Sequence, residues 1–118
     1  MDPLRSQATD ARLEKLHAGF ELIRLLDREM PGQVVSCFLY VASHDGCHKQ
    51  AMELELGLTT ASSSRNTDIL SKGRPGRSAE GLDLITKEVD PSNRRRQTLR
   101  LTPRGRTLAQ QMKTLIYG

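Results

Sequence analysis

The chain has 118 residues, of which 36% are hydrophobic and 27% charged, a balance that fits one globular domain. No apolar run approaches the roughly eighteen residues that span a bilayer, and Met1-Asp2-Pro3-Leu4-Arg5 has no apolar signal core, so a soluble cytoplasmic protein is expected. Aromatic residues make up 3%, which excludes a broad platform for stacking single-stranded bases, and Cys37 and Cys47 alone exclude a disulfide scaffold.

Asp10 is a plausible N-cap, and behind it Leu13, Leu16, Phe20, Ile23, Leu26 and Met30 recur at spacings of three and four, predicting a long amphipathic helix over 10–30. Leu22 and Leu25 widen its apolar surface beyond the needs of one small core, which points to a partner helix across a dimer interface. Pro31-Gly32 interrupts the pattern. Val34, Val35, Phe38, Leu39, Val41 and Ala42 then form an apolar segment read as a buried helix ending near Asp45-Gly46, with Cys37 in the core.

A brief helix is expected from about His48 to Leu56, stopped by Gly57, with Leu58 packing back under the turn. Thr59 caps the next helix, running to Lys72 with Ala61, Ile69 and Leu70 as its apolar anchors. The segment Gly73 to Gly81 reads as a basic glycine-rich loop. After it the period changes to two: Leu82, Leu84 and Thr86 alternate with polar positions, as do Leu99 and Leu101 beyond Asp90-Pro91-Ser92-Asn93. This predicts a β-hairpin tipped by Arg94, Arg95 and Arg96. Thr102 and Pro103 open a last helix over 103–117, with Leu108, Met112 and Leu115 or Ile116 on one face.

The net charge of +4 hides an asymmetry. Residues 1–58 hold six Lys/Arg and nine Asp/Glu, whereas residues 59–106 hold eleven Lys/Arg and five Asp/Glu. Clustered cations attract a polyanion far more strongly than scattered ones, so the second segment is the candidate nucleic-acid surface. The element order is that of a winged helix-turn-helix: mainly α with a small β-hairpin, in a single domain over 1–118 whose core spans 33–106. The major groove admits one helix, and Thr60, Ser62, Ser63, Arg65 and Asn66 offer it donors and acceptors, Arg65 for guanine and Asn66 for adenine. Arg94, Arg95 and Arg96 on a two-stranded arm suit an adjacent minor groove. Arg74 and Arg77 are further DNA-contact candidates through a faint likeness to Gly-Arg-Pro arms, with a plain basic linker as the competing reading.

The segment Asp90-Pro91-Ser92-Asn93-Arg94-Arg95, followed by Leu99-Arg100-Leu101-Thr102-Pro103-Arg104-Gly105, resembles the wing signature of the MarR-type winged-helix regulators. Leu56-Gly57-Leu58-Thr59 with Arg65, Asp68 and Leu70 is similar to that family's helix-turn-helix, and the likeness covers roughly positions 33–113. It implies a homodimeric DNA-binding transcription regulator held together by its terminal helices, and repression is the mode of action expected of this chain. The dimer contacts would then come from Leu13, Leu16, Phe20, Ile23, Leu108, Met112, Leu115 and Ile116, and Asp90 would pair with a wing arginine. Glu53 stands where the family has a small residue and Ser63 where it has an apolar one. A small-molecule effector is left open.

Other chemistry finds little support. His44, Cys47 and His48 lack the partner ligands of a closed metal site, so neither metal nor cofactor is expected. Cys47 near a helix start reads as a quiet turn cysteine, with a redox-active thiolate as the sharper alternative. No nucleophile, base and orienter set is present, so no catalytic residue is assigned and no enzyme is expected. The rival function is a protein-interaction module on the same fold, which binds DNA without sequence preference.

Overall fold

A computed structural model describes residues 6–73 and 81–118. Helix α1, Ala11–Arg24, starts on Asp10, whose carboxylate accepts the backbone N–H groups of Arg12 and Leu13 at 3.0 and 3.1 Å. It stops six residues before the expected end at Met30. There Asp27 accepts the N–H of Glu29 at 3.0 Å in a local turn, an alternative that aspartate offers to the helix ladder. Helix α2, Gly32–Ser43, is preceded by Pro31 and buries Val34, Val35, Cys37, Phe38 and Val41 in the core as expected.

Strand β1, Cys47–His48, pairs antiparallel with the second arm of the hairpin, Cys47 opposite Leu99 and His48 opposite Thr98. Two residues are too few to show alternation, so the sheet has three strands rather than the expected two. Helix α3, Lys49–Leu56, ends at Gly57, whose φ of 64° is the left-handed cap conformation, and Leu58 packs partly against the core. Helix α4, Thr60–Leu70, starts on Thr59 as expected and ends two residues before Lys72.

Strands β2, Ile85–Asp90, and β3, Asn93–Leu101, form the hairpin, in the sheet order β1-β3-β2. The strand begins at Ile85 rather than Leu82 because Asp83, at φ 55°, breaks the extended path, and Leu84 and Ile85 are both buried. Helix α5, Pro103–Tyr117, opens with Thr102 accepting the N–H of Gly105 at 3.0 Å and buries Leu108 and Met112. It packs along α1, where buried Gly19 lets Ile116 approach the helix backbone. Among the described residues no helix is long and apolar enough to cross a membrane.

Candidate nucleic-acid interface

Helix α4 turns a polar face inward. Ser63 and Thr67 are fully buried and Asn66 and Leu70 nearly or wholly so. The Ser63 hydroxyl donates to Glu53 Oε1 of α3 at 2.7 Å, and Lys49 Nζ donates to the same oxygen at 2.7 Å. The Asn66 amide donates to Gln33 Oε1 of α2 at 3.1 Å. Buried polar groups must find partners, and these three helices supply one another's. Ser63 and Asn66, expected at base edges, are therefore corrected: both are spent inside the protein, Asn66 included in place of its adenine contact. Ala61 and Ile69, expected as anchors, are exposed.

The outward face carries exposed Thr60 and Arg65 together with half-buried Ser62 and Ser64, and the Ser62 hydroxyl accepts from Arg65 Nη2 at 3.3 Å. Ser64 is absent from the sequence-derived set. Its signal is helical spacing, one turn beyond Thr60, which becomes readable once positions 63, 66, 67 and 70 are known to face inward.

The hairpin turns at Pro91-Ser92, and its ladder is irregular just there: Val89 pairs with Gln97 and Asp90 with Asn93. Arg94, Arg95 and Arg96 fall between these two pairs with no partner on β2, so they occupy a bulge on β3 beside the tip rather than the tip itself, and all three are exposed. Asp90 takes Ser92 as its partner, accepting from its N–H at 2.9 Å and its hydroxyl at 2.7 Å. Those bonds hold the Asp90 carboxyl below the usual aspartate range, and Arg96 adds only a longer-range attraction. The expected pairing of Asp90 with a wing arginine is replaced by this turn.

Helix and wing meet across one cleft of about 310 Å³, lined by Lys49, Gln50 and Glu53 of α3, Thr60 and Ser64 of α4, and Val89, Arg94, Arg95 and Gln97 of the hairpin. Their relative placement is held by backbone bonds at the end of α4. Leu82, Asp83 and Leu84 donate to the carbonyls of Ile69, Ser71 and Leu70 at 2.8, 3.1 and 2.7 Å, capping groups the helix leaves unpaired. A largely buried ion pair between Lys87 of β2 and Asp68 of α4 adds a second tie. The cleft thus gathers three cations against one carboxylate and two hydroxyls, the side-chain chemistry that suits a sugar–phosphate backbone.

The remaining candidates divide. Ile23, Leu108 and Met112, expected at a dimer interface, are core residues of the protomer, while Ile116 is half-buried against Gly19. Leu13, Leu16, Phe20 and Leu115 are 61%, 53%, 41% and 39% exposed and remain available to a partner. Arg74 and Arg77 lie outside the described residues. Cys47 sits in β1, and burial pushes its thiol up, away from reactive thiolate character. Burial likewise pushes the Cys37 thiol up, partly offset by the Asn66 amide. Among the described residues no three His, Cys, Asp or Glu side chains gather to hold a metal ion.

No family model and no curated protein matches the chain. Solved structures do. It is similar to a mutant MepR from a multidrug-resistant S. aureus clinical isolate, with a TM-score of 0.68 and 19% identity over 89% of this chain and 69% of that one. It is similar also to the transcriptional repressor CouR bound to a 23-mer DNA duplex, with a TM-score of 0.60 and 23% identity over 91% of this chain and 68% of that one. A third likeness is to the PcaV regulator of Streptomyces coelicolor in complex with its natural ligand, at a TM-score of 0.56 and 20% identity over 95% and 79% of the two chains. The fold is the winged helix-turn-helix of the MarR-type regulators.

Proposed function

We propose that this chain is a double-stranded-DNA-binding transcription regulator, a repressor that works as a homodimer on a pseudo-palindromic site. The observation that carries the reading is the shared cleft, which brings Thr60 and Ser64 of α4 and Arg94 and Arg95 of the bulged strand to one surface. Helix α4 enters the major groove through Thr60, Ser64 and Arg65, and the arginine bulge reaches the neighbouring minor groove, where Arg is favoured when the groove is narrow. Exposed Leu13, Leu16, Phe20 and Leu115 support a second copy packed on α1 and α5. That copy sets a second recognition helix about 10 bp away. The candidate place for a small-molecule effector is an open groove of about 700 Å³ lined by Leu22, Arg106, Gln110 and Leu115, which the second copy would border.

Selection of bound sequences from a random duplex pool, paired with sedimentation of the free protein, tests the reading. A palindromic motif with a dimeric protein is expected. Recovery of no motif sinks sequence-specific binding and leaves the protein-interaction module. Within that assay Arg95→Ala is expected to lower the salt slope by about one unit, and Arg65→Ala to relax base preference at one position per half-site.

A further inference from the structure

A carboxylate in a phosphate-facing cleft weakens binding by direct repulsion, so the presence of Glu53 beside Arg94 and Arg95 needs a local reason. Its Oε1 accepts from Lys49 Nζ and from Ser63 Oγ, both at 2.7 Å. The Lys49 and Glu53 side chains are only 8% and 13% exposed, so neither is an ordinary surface charge. Lys49 is the cation of the cleft that is already neutralised: it lines the same surface as Arg94 and Arg95, yet its ammonium is turned onto Glu53. Burial pushes the Glu53 carboxyl up, but the bonds from Lys49 and Ser63, the lysine charge and a further bond from Thr60 bring it below the ordinary glutamate value, so Glu53 is a carboxylate at neutral pH.

We infer that Glu53 is a specificity-determining residue, a resident counter-ion that withholds Lys49 from DNA phosphates and fixes the rotation of α4 through Ser63. The inference rests on the duplex-binding reading above. A free lysine at this position would add one sequence-independent phosphate contact, raising affinity for any duplex alike. Held by Glu53, it adds none, and discrimination is left to Thr60, Ser64 and Arg65.

Glu53→Gln removes the counter-ion. A buried unpaired ammonium is costly, and the four-carbon stem of lysine lets the head swing to the mouth of the cleft and take a phosphate. One more neutralised phosphate steepens the salt slope by about 0.9, so over a fourfold salt range affinity falls about 3.5-fold further than in the parent. The experiment compares parent, Glu53→Gln, Lys49→Met and the double variant by fluorescence anisotropy. The probes are the duplex selected from the pool and a random duplex of equal length, titrated from about 50 to about 200 mM KCl, with thermal melting alongside.

The expected result is a slope steeper by about one unit for Glu53→Gln on the random duplex, a reduced ratio of selected to random affinity, and loss of both effects in the double variant. An unchanged slope in Glu53→Gln overturns the inference, as does a steeper slope that persists in the double variant. If Glu53→Gln alone does not fold, the double variant, which carries neither charge, decides: its slope equals the parent's if Glu53 withholds the lysine, and a slope shallower by about one unit overturns the proposal. A parent that binds neither duplex with salt-dependent affinity fails the DNA reading itself, and the inference with it.

Discussion

Helices α4 and α5 begin alike and bury opposite chemistry. Each is capped by a threonine, Thr59 accepting from Ser62 N–H and Thr102 from Gly105 N–H, both at 3.0 Å. Beyond the cap, α5 sets Leu108 and Met112 into an apolar core, whereas α4 sets Ser63 and Asn66 against α3 and α2 through hydrogen bonds, with Thr67 buried beside them. An apolar contact is non-directional and governs how closely two elements approach. A hydrogen bond is directional and governs how a helix is rotated. The helix that anchors the fold uses the first, and the helix proposed to read bases uses the second.

The largest expected effect breaks the close approach on the α5 side. A Cβ at Gly105 would lie 2.0 Å from the Leu84 carbonyl oxygen, backbone that cannot step aside without moving the start of β2. Gly105→Ala is expected to cost more than about 3 kcal/mol, measured as a fall in the urea midpoint, and a variant as stable as the parent would refute this packing. Met112→Ala, which empties part of the apolar core, is expected to cost about 2–5 kcal/mol by the same measurement.

Ser63→Ala probes the polar side. It deletes a donor to Glu53 Oε1 and leaves Lys49 on that oxygen, and it is expected to cost about 1–2 kcal/mol, less than Met112→Ala. Its more telling readout is weakened discrimination between selected and random duplex, since α4 loses a rotational tie. Equal destabilisation by the two variants, with discrimination intact, would erase the distinction between the helices.

Acid supplies the smallest and sharpest comparison. The folded value of Glu53 lies below its unfolded one, so its contribution is fully present above the unfolded value and disappears as pH falls through the folded one, starting near 4.5 and running lower. Urea midpoints of the parent should therefore drop in that window by more than those of Glu53→Gln, which has no such carboxyl to titrate. Parallel pH profiles for the two proteins would remove Glu53 from the network.

Legibility in the sequence follows the same division. The stops and starts at Asp10, Gly57, Thr59 and Thr102 were legible because capping depends on one residue's own side chain or backbone freedom. The apolar stripe of α5 was legible because hydrophobic periodicity reports a dry face directly. The face of α4 was not: when the buried stripe is Ser63, Asn66 and Thr67, polar residues stand inside and outside, and periodicity carries no contrast. Hence Ser63 and Asn66, which the sequence offers to DNA, are structural, and Ser64 on the outward face carries no signal of its own. The dimer set erred for a related reason. Ile23, Leu108 and Met112 are apolar, as any interface residue would be, and pattern alone does not separate a protomer's core from a contact between copies.

The order of elements, the winged helix-turn-helix and the basic character of its second half were set by local signals, each readable within a few residues: caps, the change of period from helix to strand, and clustered arginines. Only the folded chain decided which way α4 is rolled, that the three arginines sit in a bulge beside the turn, and that Glu53, Lys49 and Ser63 close on one another between two helices. Those features depend on partners far apart in the chain, whose hydrogen bonds and excluded volumes act only after the elements have packed.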